Sequence, residues 1–269
     1  MNFGLLIIGD EILSGKREDK HLPKVIELLG ARGLGLAWAR YVGDDPARIT
    51  ADLRDAFACG DIVFSCGGIG ATPDDHTRQA AAAALGVPLA LHPTARELIV
   101  ERMQDIARER GLPFEPERED NRHRLNMGVF PEGAEIIPNP YNKIPGFGIR
   151  RQGRAAVWFV PGFPVMAWPM VEWVLDTHYA DLHRSTGGRE KSVIVFGSME
   201  ATLTPLMEAI EAAHPGIKVF SLPSVDHPRW GRHIELGVKG DPARLEAAYA
   251  ELKGGLAALA VALGPELVR

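Results

Sequence analysis

"DIVFSCGGIGATPDDHTRQAAAAALG", residues 61–86, decides the reading of the fold. Ile62, Val63, Phe64 and Ser65 run into a glycine cluster with no polar alternation. Such a run suits a strand buried on both faces, as in a parallel sheet. From Asp74 and Asp75 onward the residues read as a helix closed by Gly86. A strand, a glycine turn and a helix in that order form the repeating unit of an open α/β sheet.

The same unit occurs twice before it. "FGLLII" (3–8) reads as a strand and "HLPKVIELLGARG" (21–33) as an amphipathic helix that stops at Gly30 and Gly33. "LGLAWARYVG" (34–43) is the next strand, and "DPARITADLRDAFA" (45–58) the next helix, with Asp45 as N-cap and Pro46 at the first helical position. Three consecutive strand–helix units imply right-handed crossovers, a parallel sheet and helices on its faces. Residues 92–124 depart from this pattern: a charged amphipathic helix and the charge run "EPEREDNRHR" read as a solvated excursion over one edge, with a lid or partner surface as the alternative. "GAEIIPNP" and "RAAVWFVPGFP" supply further short strands, and "PVMAWPMVEWVLDTHYADLHR" a closing helix. The first domain then spans 1–182. "STGGREK" (185–191) suits a linker, and 190–269 reads as a small β-α-β-β-α domain.

Composition bounds the function. Hydrophobic content of 46% and charged content of 24% are those of a soluble globular chain. A net charge of −5 argues against a nucleic-acid footprint. No stretch approaches the roughly 18 apolar residues of a membrane span, and "MNFGLLIIGDEIL" reads as a first strand, not a leader. Cys59 and Cys66, without CxxC or Cys/His spacing, read as two buried thiols of a cytoplasmic protein.

Ligands of open parallel sheets bind outside the carboxyl ends of the strands. Three turns there carry acids: "GDEILSG" (9–15), "VGDD" (42–45) and "CGGIGATPDD" (66–75). Gly67, Gly68 and Gly70 permit positive φ and leave N–H groups free as an anion cradle, to which Thr72 adds a hydroxyl. The spacing matches neither GxGxxG nor a P-loop. Asp10, Glu11, Asp44, Asp74 and Asp75 gather at the same rim and would repel an anion unless a cation intervened. A hard divalent metal, Mg²⁺ or Mn²⁺, bridging one or two carboxylates to phosphate resolves that conflict. Asp75 and Asp44 are the candidate metal ligands. Asp75, Asp44 and Asp10 are the candidate catalytic acids, one of them orienting an attacking water. For Asp45 and Asp74 the competing role is a helix cap. Two proline- and glycine-rich loops, "PNPYNKIPGFGI" (138–149) and "VPGFPVMAWP" (160–169), are expected to form a pocket wall, with Asn142, Lys143, Pro145, Gly146 and Gly162 as ligand-binding candidates. Lys143 is the one cation in these loops and is a candidate to neutralise a phosphate. His21 and His76 lack a partner at metal spacing and read as hydrogen-bonding or surface histidines.

"GGIGATPDDHT" resembles the GGTG-x-x-x-D-x-T signature of the molybdopterin-binding (MoaB/Mog-like) domain of molybdenum-cofactor biosynthesis proteins. It is most similar to the N-terminal region of the competence/damage-inducible protein A (CinA-like) family. "GDEIL" with Gly15 and Asp19, "VGDDPARI", "FPEGAEIIPNP" and "VPGFP" resemble further motifs of that family in the same order, over about residues 1–180. Residues 190–269 resemble the small α+β domain that follows there, and the family's further amidohydrolase domain is expected to be absent. The resemblance implies a three-layer αβα sandwich with a mostly parallel sheet that binds a phosphorylated pterin or adenine nucleotide. Its site residues fall on Gly67, Gly68, Gly70, Thr72, Asp75 and Thr77, with Asp10, Glu11 and Asp44 opposite. It also implies a homo-oligomer, dimer or trimer. The activities it implies are molybdopterin nucleotidyl transfer or divalent-metal cleavage of a nucleotide pyrophosphate such as ADP-ribose. The alternative is a non-catalytic binding or scaffold protein of the same fold. Three positions depart from the pattern: Asn142–Ile144 replace a Gly-Thr-Ala run, His21 replaces an asparagine, and no acid follows "VPGFP".

Overall fold

The computed structural model describes residues 2–183 and 190–268. The chain divides into two compact units, 1–183 and 184–269. The linker expected at 185–191 lies outside the described residues as far as Arg189.

In the first unit β1 (Phe3–Ile8), β2 (Leu36–Val42), β3 (Ile62–Cys66) and β8 (Ala156–Val160) run parallel. They belong to a six-stranded sheet in the order β2-β1-β3-β8-β7-β6. The last two, β6 (Glu135–Ile137) and β7 (Gly146–Arg150), are antiparallel. The remaining elements are α1 (Asp10–Leu13), α2 (His21–Gly30), α3 (Pro46–Ala58), α4 (Thr77–Leu85), β4 (Leu89–Leu91), α5 (Pro93–Glu109), α6 (Glu119–Leu125), β5 (Val129–Pro131) and α7 (Pro164–His178).

The unalternating apolar character of β1 has a direct structural meaning. Phe3, Leu5 and Ile7 pack with Val25 and Leu29 of α2 and Met170 and Val174 of α7, while Leu6 and Ile8 pack with Ile49 and Leu53 of α3 and Ala81 of α4. Side chains alternate across a strand, so an all-apolar strand needs a helix layer on each face. The result is the expected three-layer sandwich with a mostly parallel sheet.

Several local expectations are corrected. β7 lies inside the stretch read as a loop: Phe147 is fully buried and stacks on Phe130 and Phe159 at 4.6 and 4.3 Å between ring centroids. Proline and glycine density concealed a buried strand. The helix expected from Asp74 starts at Thr77, with His76 at the N-cap position, so Asp74 caps nothing. Asp45 does cap α3, accepting from Arg48 N at 2.7 Å. Cys59, expected to be buried, is exposed at the C-terminal end of α3, whereas Cys66 is buried and its thiol is pushed up by that burial. The excursion is anchored through Ala95, Ile99 and Met103 of α5, and β4 pairs with β5.

In the second unit β9 (Glu190–Phe196), β10 (Ile217–His227), β11 (Gly231–Gly240) and β12 (Ala262–Val268) form an antiparallel sheet in the order β10-β11-β9-β12. Helices α8 (Glu200–Ala213) and α9 (Pro242–Ala258) share its core through Leu203, Ile210, Leu245 and Leu252. The order is thus β-α-β-β-α-β. The expected last helix over 241–263 stops at Ala258, Ala260 takes a left-handed φ of 54°, and the chain reverses into β12. No described helix is long and apolar enough to cross a membrane.

Candidate functional site

At the carboxyl ends of β1, β2, β3 and β8 the turns enclose a cavity of about 430 Å³. One wall is the loop 67–75. Gly67 and Gly68 hold φ at 107° and 66°, in the left-handed region that favours glycine. A Cβ on Gly67 would stand 2.2 Å from the Ile8 carbonyl oxygen, and one on Gly68 2.2 Å from Thr77 Oγ1. The loop is pinned from behind: Thr77, fully buried, donates its hydroxyl to Gly67 O and its N–H to Gly68 O, both at 3.0 Å. Arg78, only 4% exposed, donates from Nη2 to Gly70 O at 2.5 Å. Burial lowers the Arg78 pKa, partly offset by the charge of Asp75, and its Nε has no partner. Asp75 accepts from Thr72 N at 2.8 Å and Thr72 Oγ1 at 2.5 Å, closing the turn.

Asp10 and Glu11 follow β1, and Asp44 follows β2. Asp10 N donates to Asp44 Oδ2 at 2.8 Å, and Asp44 N to Asp10 Oδ1 at 3.2 Å, so two strand-end turns are cross-tied. Burial raises the Asp44 pKa, and the charges of Asp10, Glu11 and Asp74 add to the rise against an opposing backbone hydrogen bond. Among the described residues no group of three or more His, Cys, Asp or Glu is arranged to hold a metal ion.

The structure sorts the expected site residues. Asp75, Asp44, Glu11, Gly67, Gly68, Gly70, Thr72, Asn142, Pro145 and Gly162 line the cavity. Asp10, Thr77, Lys143 and Gly146 are not among its lining residues. Asp10 and Thr77 instead support residues that are. Gly146 is a packing glycine in β7, where a Cβ would meet Phe159 O at 2.3 Å. Lys143 is turned to the excursion, donating to Glu101 at 2.5 Å and Asp105 at 2.6 Å. The cation that lines the cavity is Arg17, 3.8 Å from Glu11 and over the ring of Phe163 at 5.7 Å to its centroid. Nothing in the sequence around Arg17 distinguishes it from a solvated loop arginine.

The apolar part of the lining includes Met127, Ile144, Pro145, Phe163 and Met166. Asn142 helps to shape it: its Oδ1 accepts from Asn139 Nδ2 at 2.8 Å and Ile144 N at 3.0 Å. His21 is a buried hydrogen-bonding residue. Its Nε2 donates to Gly162 O at 3.0 Å and its backbone N–H to Asp19 at 2.8 Å, while Nδ1 has no partner.

Comparison with known proteins places the chain in a family. Residues 4–180 match the family described as probable molybdopterin binding domain. A CinA-like protein of Anaeromyxobacter dehalogenans (strain 2CP-C) is 36% identical over 252 residues, covering 92% of this chain and 57% of the relative. A CinA-like protein of Anaeromyxobacter sp. (strain Fw109-5) is 33% identical over 217 residues, covering 80% of this chain and 50% of the relative. The chain thus spans about half the length of these curated relatives. The crystal structure of the protein CinA with unknown function from Thermoplasma acidophilum superimposes with a TM-score of 0.54 at 26% identity, covering 65% of this chain and 96% of that one. With the glycine loop, the strand-end acids and the sheet order all lying within the matched residues, the chain belongs to the probable molybdopterin binding domain family.

Proposed function

We propose that the cavity binds a phosphorylated pterin or an adenine nucleotide, with its phosphates on the Gly67–Gly70 backbone and Mg²⁺ or Mn²⁺ between them and Asp44 and Asp75. The observation that carries this reading is that a glycine loop with positive φ and two carboxylates from different strand ends face one cavity. Asp44 is already burdened by its acidic neighbours, so a cation relieves the crowding. The donor set fits Mg²⁺, which commonly takes one or two carboxylates and completes its shell with waters and substrate phosphates. Bound there, the metal would neutralise phosphate charge and polarise the phosphoryl group.

The chain's own groups supply the rest of the chemistry. Backbone N–H groups of the loop receive phosphate oxygens, and the supports behind them keep those donors from turning away. Asp10 holds Asp44 in place, and where the metal engages only one of Asp44 and Asp75 the other would orient a water toward phosphorus and take its proton. With a pyrophosphate such as ADP-ribose, the water oxygen would bond to one phosphorus as the bridging P–O bond breaks, the water's proton passing to that carboxylate and the second phosphate leaving with the bridging oxygen. Transfer to a second phosphorylated ligand is the same displacement with another nucleophile. The setting proposed for this reaction is a cytoplasmic homo-oligomer, dimer or trimer, which light scattering tests.

Incubation with Mg²⁺ or Mn²⁺ and ADP-ribose, FAD or adenylated molybdopterin tests the enzyme. Cleavage is expected to stop with chelator and to fall about 100-fold or more in Asp75→Ala. Turnover unchanged in that variant removes the enzymatic reading. A second reading, a non-catalytic binding protein of the same fold, is favoured by the apolar "VMAWPM" that follows "VPGFP" and by Lys143 being tied to α5. Calorimetric binding without turnover selects it.

A further inference from the structure

We propose that the second unit holds a ligand site of its own, one that takes the phosphate group of a small phosphate monoester. The site lies wholly within residues 197–234 and does not depend on the reading given to the strand-end cavity.

A cavity of about 590 Å³ opens where the turn after β9 and the start of α8 meet the β10–β11 hairpin. Three polar features of its lining lack a partner. Arg232 is exposed and makes no hydrogen bond or ion pair among the described residues. Met199 stands at the N-cap of α8 without a side-chain capping bond, which leaves N–H groups of the first turn uncapped at the cavity. The Ser198 hydroxyl oxygen is buried with no hydrogen-bond partner. A buried orphan of this kind in a cavity wall marks a place where a water, ion or ligand completes the pairing.

His233 selects the kind of anion. The residue lines the cavity at only 6% exposure, and its ring meets His227 at 5.2 Å and Trp230 at 5.4 Å in T-shaped contacts. Its Nδ1 lies 2.8 Å from the Gly231 carbonyl oxygen and donates there, since a carbonyl only accepts. Nε2 is left without a hydrogen bond, and in the neutral imidazole it is an acceptor. The lining thus sets several donors beside one acceptor that needs a proton from the ligand. A phosphate monoester meets both demands. With a second pKa of about 6, it carries acceptor oxygens and a proton that it can share with the imidazole. A carboxylate at neutral pH brings no proton, and a phosphodiester has no second ionisable oxygen.

Glu200 limits the charge the site accepts. It is the one carboxylate of the lining, and its Oε1 accepts from Ser221 Oγ at 2.7 Å. One phosphate has Arg232 and the helix end to balance it, whereas a run of phosphodiesters meets no further arginine or lysine in the lining. Met199, Pro223, Val225 and Ile234 supply apolar surface, which suits a compact apolar group on the ester oxygen.

The experiment is calorimetric titration of the full chain, with chelator present so that no metal draws phosphate to the strand-end cavity. The probes are phenyl phosphate, diphenyl phosphate and benzoate. The variants are Arg232→Gln, His233→Asn, Ser198→Ala and Arg229→Gln. Asparagine at 233 keeps a donor for the Gly231 carbonyl but has nothing in place of Nε2. Arg229 lies over the Trp230 ring at 5.8 Å and outside the lining, so its substitution removes the same charge nearby as a control. Wild type is expected to bind phenyl phosphate at least about 10-fold more tightly than diphenyl phosphate or benzoate. Arg232→Gln and His233→Asn are each expected to weaken phenyl phosphate about 10-fold, the scale of one hydrogen bond to a charged group. Ser198→Ala is expected to weaken it about threefold, and Arg229→Gln less than about twofold. No binding of phenyl phosphate by wild type overturns the site. Binding that Arg232→Gln leaves unchanged puts the probe elsewhere and also overturns it, even if His233→Asn fails to fold. Benzoate bound as tightly as phenyl phosphate overturns the choice of phosphate, and diphenyl phosphate bound as tightly overturns the monoester. An equal loss in Arg229→Gln reduces the effect to general charge and overturns the site. None of these outcomes bears on metal-dependent binding at the strand-end cavity, which Asp75→Ala tests separately.

Discussion

The two walls of the cavity are made from opposite materials. The glycine wall is one continuous turn, 67–75, whose shape is forced by backbone geometry and by supports within a few residues, Thr77 and Arg78. The apolar part of the lining gathers Met127, Ile144, Phe163 and Met166 from three separated segments of the chain. A wall of the first kind breaks at single atoms. One of the second kind tolerates exchange of one apolar side chain for another of similar volume.

Substitutions test this contrast, taken in decreasing order of expected effect on stability. Gly67→Ala sets a Cβ 2.2 Å from the Ile8 carbonyl at a φ of 107°, so we expect about 3 kcal/mol of destabilisation and loss of ligand binding, read by denaturant unfolding and calorimetry. A tolerated Gly67→Ala would mean that the wall is softer than its geometry implies. Thr77→Val keeps the shape but leaves the buried Gly67 carbonyl without its hydroxyl donor, at an expected cost of about 1–2 kcal/mol in the same unfolding assay.

Asp44→Asn is expected to act in opposite directions on stability and on binding. Because the Asp44 pKa is raised in the fold, the ionised form is disfavoured there. That cost is absent below the ordinary carboxylate range, where the group is protonated both folded and unfolded. It accrues as pH rises through the raised folded value. The asparagine variant should therefore be more stable at pH 7, by no more than about 0.5 kcal/mol after solvent screening, and equal to wild type near pH 3. Its affinity for a metal–phosphate ligand should fall about 10-fold, since a charged metal ligand is lost. A stability gain that persists at acid pH would show that charge is not the cause. Lys143→Ala gives the smallest effect: its partners Glu101 and Asp105 are on α5, away from the cavity, so ligand affinity should stay within about twofold of wild type. A large loss there would put the excursion in the binding wall.

What was readable in advance follows the same division. The glycine loop, the parallel strands and the Asp45 cap were legible because φ preference, uninterrupted apolar runs and capping act over a few residues. β7 was not, because Pro145, Gly146 and Gly148 signal a loop and only its position between β6 and β8 makes it a strand. Only the first two residues of β12, Ala262 and Leu263, fall in the expected helix, because "ALAVAL" has no periodicity that separates helix from strand, and residues 264–268 carry no sequence signal for a strand; pairing with the edge of β9 makes one. Asp74 failed as a cap because Asp75 is held by Thr72 and the helix starts beyond it.

The amino-acid sequence by itself determined the α/β order, the buried sheet, the strand-end loop that needs glycine and the acids that share its rim. These depend on interactions between near neighbours in the chain, and such interactions leave a pattern. Only the tertiary structure decided which cation reaches the cavity, Arg17 and not Lys143, and which apolar side chains line it together with the glycines. Those outcomes depend on where α5, α7 and the 138–145 loop come to rest. The packing energy that places them is spread over many contacts, so no short stretch of residues records it.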